Sequence, residues 1–215
     1  MKPLAKALLA LPLTLASTGA ALRAGGNTLQ VTSPGLEGNF KLEAISDGVS
    51  ANAVWVQDNS PACEMTYNIE WLTKTVLVDS DDQVLVFQVR SEVGEPNGPA
   101  VEVRCAVRRQ PGSVTNDQIR CSARQDAGGF RNIGSASYDA ATQHRFRVEL
   151  VRASAPGAVD GIARLFRDGQ LRGEISDLDN DTRCLGAGRI GITQSLNAAT
   201  RPVGSFQFDS YTSFR

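Results

Sequence analysis

The chain has 215 residues, and its 22 basic side chains nearly balance 23 acidic ones. A chain with this charge balance is a poor general binder of nucleic acid. Because it contains a single histidine, metal sites built on several histidines and hydrolytic triads with a second imidazole are excluded.

The first 21 residues have the layout of a secretory signal peptide. Lys2 and Lys6 precede an apolar run from Ala7 to Ala16, and small residues follow up to Ala21, after which we expect cleavage. The apolar run is too short to cross a bilayer. We therefore predict an exported protein, periplasmic or extracellular, whose mature chain has no membrane span. The predicted segments are a signal peptide over 1–21, a flexible lead-in over 22–36 and one domain over 37–215.

Alternating apolar and polar residues predict about eleven short strands between turn residues, with no helical period and no internal repeat. In the clearest example, Met65, Tyr67, Ile69 and Trp71 occupy every second position. Such a series of short strands is typical of an all-β sandwich of two antiparallel sheets.

Asp168-Gly169 predicts a type I′ hairpin turn, because both central residues of that turn need a positive φ. Counting outward from the turn places Phe166 opposite Leu171 and Ile162 opposite Ile175. Directly paired residues share a face of the sheet. We therefore expect these four apolar side chains to be buried together.

Four cysteines in an exported chain allow three disulfide pairings. Cys105 and Cys121 lie on the apolar faces of two strands that flank the turn residues Gln110-Pro111-Gly112. A hairpin would place their sulfurs opposite one another. We predict a bond between Cys105 and Cys121, which leaves Cys63 to pair with Cys184. No Cys-x-x-Cys pair points to a redox or zinc site.

Several short segments follow one another in a characteristic order. They are Leu36-Glu37-Gly38, Asn59-Ser60-Pro61, Glu64 and Tyr67 in the first part, then a strand led by His144, Leu165 to Gly169, Leu178-Asp179-Asn180-Asp181, Ile190-Gly191 and Phe206 to Ser213. In this order they resemble bacterial exported domains of the concanavalin A-like, laminin G-like jelly-roll family.

The resemblance covers Leu36 to Arg215, and it departs from many relatives where Val151-Arg152 replaces a tryptophan. It implies a jelly-roll sandwich of two facing antiparallel sheets, one of them concave. Family members include glycan binders, protein binders and glycan-cleaving enzymes, so the fold alone does not select a function.

The catalytic sets that enzymes of this fold use are incomplete in this sequence. A retaining glycosidase needs two carboxylates about 5 Å apart, whereas Glu174 and Asp177 are three positions apart and point to opposite faces. Some lyases use an Arg-x-Glu-Leu-Arg strand with Gln, His and Tyr, and the segment from Arg147 to Val151 lacks the final arginine. No Gly-x-Ser-x-Gly elbow accompanies His144. We therefore predict no catalytic residue.

Asp177, Asp179 and Asp181 have the alternate spacing that begins a calcium loop. The glycine and glutamate of an EF-hand are absent from the positions that follow, and the alternative is a hydrogen-bonded turn. Calcium is the only cofactor that the sequence suggests.

Four arginines occupy outward positions on the two strands that carry Cys105 and Cys121. Bidentate guanidinium groups suit a carboxylate or a sulfate, so these residues are candidates for binding an acidic glycan. A charged edge that resists aggregation is the alternative. We refer to this set as the arginine stripe: Arg104, Arg108, Arg120 and Arg124.

Taken with the missing catalytic pairs, the resemblance implies an exported, non-catalytic, lectin-like sandwich that binds a glycan or a cell-surface component. One alternative is a glycan-active hydrolase or polysaccharide lyase on the same fold. Another is a structural or protein-interaction module of the envelope.

Overall fold

The computed structural model describes residues 26–79, 83–91, 100–110, 113, 115–194 and 202–214. The predicted signal peptide lies outside these ranges. Within them the chain forms thirteen strands, and no helix there is long and apolar enough to cross a membrane. The strands are β1 (Thr28–Thr32), β2 (Lys41–Asp47), β3 (Val54–Glu64), β4 (Thr66–Asp79), β5 (Val84–Ser91), β6 (Ala100–Arg109), β7 (Asn116–Arg124), β8 (Phe130–Asp139), β9 (His144–Val151), β10 (Gly161–Arg167), β11 (Gln170–Leu178), β12 (Leu185–Ile192) and β13 (Val203–Phe214).

The strands form two antiparallel sheets. The seven-stranded sheet has the order β1-β2-β13-β4-β9-β10-β11, and the six-stranded sheet has the order β3-β12-β5-β6-β7-β8. Strands that are distant in sequence therefore become neighbours, such as β12 between β3 and β5. This is a jelly-roll sandwich, and the predicted fold class is confirmed.

Apolar side chains from both sheets meet in a core around Trp71. Tyr67, Ile69 and Trp71 point inward from β4 and are fully buried, whereas Met65 is half exposed. Trp71 stacks on Phe87 of the facing sheet, with ring centroids 4.9 Å apart. Each such buried side chain contributes about 1.5–3 kcal/mol. The alternation in β4 thus helps to hold the two sheets together.

The hairpin of β10 and β11 has the predicted turn and an unpredicted bulge. Asp168 and Gly169 have φ values of 51° and 77°, as a type I′ turn requires. A β-bulge at Arg172 shifts the register, so that Ala163 lies opposite Ile175 in place of the predicted Ile162.

The bulge and the pairing with β9 decide which face of the hairpin is buried. Leu165 lies opposite the inward-pointing Val148, so Leu165 is buried and Leu171 is half exposed. Phe166 and Ile162 are only partly buried. The prediction that these two residues and Leu171 lie in the core is wrong, because β9 and the bulge override the spacing counted from the turn.

Both predicted disulfides are present. Cys105 and Cys121 are directly opposite each other on β6 and β7. Cys63 at the end of β3 is bonded to Cys184, 121 residues further along the chain. In the chain-entropy picture each bridge stabilises the fold by about 3–5 kcal/mol, and the longer loop gains more.

The predicted flexible lead-in contains an ordered strand. Residues 28–32 form β1, which pairs with β2 from Thr28 opposite Ile45 to Thr32 opposite Lys41. The side chain of Asn27 donates a hydrogen bond of 2.7 Å to the carbonyl of Asn52. Backbone pairing with β2 thus gives residues 28–32 the structure of a strand, although the composition of this segment resembles a loop.

The two sheets touch along one side of the sandwich and separate along the other. Where β8 meets β11, Gly134 and Gly173 are so close that a Cβ on Gly173 would collide with the carbonyl oxygen of Ile133. Along the other side, a cavity of about 560 Å³ opens between the sheets. Its apolar lining includes Val31, Phe40, Leu42, Val56 and Ile190.

Candidate functional site

A row of polar side chains crosses the outer face of the six-stranded sheet. Arg189 of β12 pairs with Gln57 of β3 on one side and with Gln88 of β5 on the other. Gln88 in turn lies opposite Arg104 of β6. Directly paired residues share a face. Phe87 and Val89, which precede and follow Gln88 on β5, point into the core instead. We call Gln57, Arg189, Gln88 and Arg104 the central row.

Contacts hold the central row in place. Arg189 Nε donates a hydrogen bond to Gln57 Oε1, and its guanidinium lies 3.9 Å from the ring centroid of Trp55, which is a cation–π contact. Gln88 is only 2% exposed although it lies on the outer face, and its Oε1 accepts a hydrogen bond from Arg90. The central row therefore presents guanidinium donors at positions that neighbouring amide oxygens help to fix, as recognition of an anion requires.

Two residues of the arginine stripe share one aromatic partner. The guanidinium of Arg104 lies 4.0 Å from the ring centroid of Phe130, and that of Arg124 lies 6.0 Å from it. Phe130 is the neighbour of Arg124 across β7 and β8, so all three side chains lie on the outer face. Arg104 thus belongs to both the stripe and the central row.

The other two residues of the stripe contact neutral amides. Arg108 Nη2 donates to Gln118 Oε1 at 3.2 Å, and Arg120 Nε donates to Asn132 Oδ1 at 3.0 Å. Among the residues that the structure describes, no carboxylate lies within ion-pair distance of any of the four arginines in the stripe. Their positive charge is therefore not neutralised within this part of the chain.

The seven-stranded sheet treats its outward arginines differently. Arg145 Nη2 lies 2.6 Å from Glu37 Oε2, and its Nη1 lies 3.0 Å from Glu70 Oε1. Hydrogen bonds first to Glu37 and then to Glu70 raise the pKa of Arg145 above its usual range. These carboxylates neutralise a guanidinium that would otherwise be open to an external anion.

The segment that partly matches a lyase motif is neutralised in the same way. Arg147 Nη2 lies 3.3 Å from Glu149 Oε1, and Arg164 Nη1 lies 3.7 Å from Glu149 Oε2. Arg164 also contacts Glu174, the residue compared above, together with Asp177, with the carboxylate pair of a glycosidase. These outward charges form a ladder of internal ion pairs rather than an open site.

The structure separates the three candidate calcium ligands. Asp177 pairs with Arg131, whose Nη2 lies 2.8 Å from the carboxylate. Asp179 and Asp181 instead come within 4.8 Å of Asp126, which precedes β8 and which the sequence spacing did not indicate. The acidic cluster is therefore a different set from the predicted one.

Hydrogen-bond donors of the protein already occupy this cluster. Asp126 accepts hydrogen bonds from the backbone N–H of Thr182 at 3.0 Å and from its hydroxyl at 2.6 Å, and Arg183 Nε lies 3.0 Å away. Burial raises the pKa of Asp126, but these hydrogen bonds outweigh it and lower the pKa overall. Calcium binding therefore stays a prediction, and Asp177 does not belong to the cluster that could bind the ion.

The single histidine and the three tyrosines, which can act as proton carriers, do not lie on the outer face of the six-stranded sheet. The ring of His144 is engaged at both nitrogens, since Nδ1 is 2.8 Å from Asp168 Oδ2 and Nε2 is 2.8 Å from Thr142 Oγ1. Burial raises the pKa of Tyr138 well above its usual range. The tyrosines are placed as follows: Tyr67 and Tyr138 in the core and Tyr211 at the cavity between the sheets.

No protein-family model and no curated protein matches the chain. Solved structures do share its fold. An endo-β-1,4-glucuronan lyase from the fungus Trichoderma reesei matches 87% of this chain and 86% of its own, with a TM-score of 0.58 and 11% identity. An alginate lyase from Pseudomonas aeruginosa matches 87% and 85%, with a TM-score of 0.58 and 12% identity. At this identity the likeness establishes a jelly-roll sandwich.

These comparisons overturn the leading functional prediction. Two structures that match most of both chains are polysaccharide lyases, so the prediction of a non-catalytic, lectin-like module is contradicted. The alternative of a polysaccharide lyase is favoured instead. The earlier prediction depended on missing motifs, and a site assembled from several strands leaves no motif in one segment.

Proposed function

We propose that this protein cleaves an acidic polysaccharide by β-elimination on the outer face of its six-stranded sheet. The observation that supports the proposal is the central row, where the guanidinium groups of Arg189 and Arg104 flank the buried Gln88 on the outer face. The two lyases that share this fold are named for glucuronan and for alginate, and both of these polysaccharides are polymers of uronic acids. Their carboxylates are the partners that such donors bind.

Elimination at a uronate unit starts with loss of the proton on C5, next to the carboxylate. The electrons of the C–H bond form a double bond between C4 and C5, the bond from C4 to the glycosidic oxygen breaks, and that oxygen takes a proton from water. Negative charge develops on the carboxylate, so groups that hold it lower the barrier. We assign this role to the guanidinium groups of Arg189 and Arg104, which lie on either side of the buried Gln88.

The central row itself contains no group that accepts a proton near neutral pH. Arginine stays protonated and the amide of glutamine is not a base. The single histidine and all three tyrosines lie elsewhere. We therefore propose that hydroxide from solvent accepts the C5 proton at the outer face, while the protein stabilises the developing negative charge.

Ultraviolet absorbance of the new conjugated double bond tests the proposal, with polyglucuronate, polymannuronate and polyguluronate as substrates. Loss of one charge-stabilising donor typically lowers kcat by about 10²–10³, so we expect about a hundredfold loss in Arg189→Ala and in Arg104→Ala. Arg164→Ala is the matched control, because its guanidinium lies on the other sheet. New reducing ends without absorbance would indicate hydrolysis, and no product from any uronate polymer would refute the proposal.

We further propose that the protein works outside the cytoplasm as one domain that begins with β1. Two disulfides are typical of oxidising compartments, and residues 1–21 have the layout of a signal peptide. Sequencing the N-terminus of the exported protein checks this proposal. A mature chain that begins at Leu22 is the expected result.

A further inference from the structure

The arginine stripe has a regular spacing along its strands. Arg104 and Arg108 lie on β6 with Ala106 between them, and Arg120 of β7 is directly opposite Ala106. Arg124 lies one step further along β7, on the other side of Arg104. Along the strand axis the order is therefore Arg124, Arg104, Arg120 and Arg108. Each step is two residues, or about 6.8 Å, so the stripe extends over about 20 Å.

Nothing in the described part of the chain offsets this row of like charges. Like charges on neighbouring strands repel each other and destabilise a sheet. On the other sheet, by contrast, Arg145 and Arg164 are paired with glutamates. The same polypeptide thus neutralises one outer face internally and leaves the other positive. An anion from outside is the partner that this arrangement fits.

We propose that the arginine stripe binds a linear acidic polysaccharide lengthwise along β6 and β7. The partner carries carboxylate or sulfate groups on successive sugars, and an extended chain brings one of them to each guanidinium. The stripe runs at right angles to the central row and shares only Arg104 with it. It therefore holds a part of the polymer that is not at the reacting centre.

This inference goes beyond the proposed elimination and does not depend on it. The stripe lies on β6 and β7, whereas three of the four residues of the central row lie on β3, β5 and β12. Phe130 supports two guanidiniums from one side, which keeps their charge at the surface. Binding along the stripe is accordingly a property that can be measured without any turnover.

The experiment compares two double variants of the full chain by titration calorimetry. Arg108→Ala with Arg120→Ala removes two charges from the stripe, and Arg147→Ala with Arg164→Ala removes two charges from the other sheet. The probes are polyglucuronate for carboxylate and dextran sulfate for sulfate, with neutral dextran and single-stranded DNA for comparison. A lost exposed ion pair weakens binding by roughly threefold, so we expect about a tenfold loss for the stripe variant and less than twofold for the control.

Salt dependence gives a second readout. Each lost contact with a polyanion lowers the slope of log affinity against log salt by about one, so the stripe variant should lose about two. If the alanine variant does not fold, Arg108→Gln with Arg120→Gln keeps hydrogen-bonding groups at both positions and removes the same charge.

Several outcomes would overturn the inference. Equal weakening in both double variants would assign the binding to net charge, and tight binding of neutral dextran would remove the role of the anion. Tighter binding of single-stranded DNA than of either acidic polysaccharide would assign the stripe to another polymer. Stripe-dependent binding without unsaturated product refutes the elimination and supports the stripe, whereas product formation with unchanged binding in the stripe variant does the opposite.

Discussion

Trp55 on edge strand β3 packs against Arg189 on β12, with the guanidinium 3.9 Å from the ring centroid. Trp55 is 36% exposed, so this contact lies at the surface of the proposed substrate site. The ring limits the positions that the Arg189 guanidinium can adopt. Pre-organised donors bind an anion with less loss of entropy than mobile ones.

The first prediction concerns this contact. A cation–π contact at an exposed site contributes about 0.5–1 kcal/mol, so Trp55→Leu should raise KM for a uronate polymer by about two- to fivefold. Trp55→Phe keeps an aromatic face and should restore most of the affinity. Steady-state kinetics check this, and an unchanged KM in the leucine variant would contradict the role of the ring.

The second prediction concerns His144, the only histidine. Its two ring nitrogens contact Asp168 and Thr142, and it is the first residue of β9, in the other sheet from the central row. We expect His144→Ala to keep turnover within about twofold, and the rate to rise with pH as hydroxide becomes available. A pH profile of kcat for both proteins checks this. A bell-shaped profile that disappears in the variant would identify His144 as the proton acceptor.

The third prediction concerns Asp47, whose carboxylate closes the turn after β2. Hydrogen bonds from the backbone and hydroxyl of Ser50, followed by that from Val49, lower its pKa from 3.8 to about 2. A carboxyl with a lowered pKa in the folded state stabilises the fold above its unfolded pKa and loses that effect as the pH falls through its folded pKa. Asp47→Ala should therefore lower the Tm at pH 7 by about 2–4 °C.

The difference in Tm between Asp47→Ala and the unaltered protein should shrink as the pH falls from about 4 to about 2. Thermal melts in a pH series measure it. Ser50→Ala removes one of the donors and should show a smaller effect in the same direction. A difference that stays constant down to pH 2 would mean that the carboxylate is not responsible.

The fourth prediction concerns the side where the sheets touch. A Cβ on Gly173 would collide with the backbone of Ile133 and with Gly134, and backbone atoms cannot rotate away as a side chain can. Overpacking of this kind costs about 1–3 kcal/mol, so Gly173→Ala should lower the free energy of unfolding by an amount near the upper end of that range. Gly38→Ala is the control, because open space surrounds that position. Urea unfolding of both variants measures the difference in free energy of unfolding.

Much of the fold follows from local patterns. Alternation predicts the inward residues of β4, the dipeptide Asp168-Gly169 predicts its turn, and the parity of Cys105 and Cys121 predicts their bond. These features depend on residues a few positions apart, so the period of a strand and the dihedral angles of a turn are enough to infer them. The buried face of the hairpin was predicted wrongly, because a bulge and a third strand decide it.

The candidate site does not follow from local patterns. Gln57 and Arg189 are 132 residues apart in the chain, and each is one polar residue in a strand with no motif around it. They become neighbours only because β12 inserts between β3 and β5, and Asp126 joins Asp179 and Asp181 through the same kind of long-range packing. The sequence by itself therefore determined most of the strands, the turn and the bridges, but not β1. The tertiary structure alone decided which charges meet, because the pairing of distant strands is a property of the whole sheet.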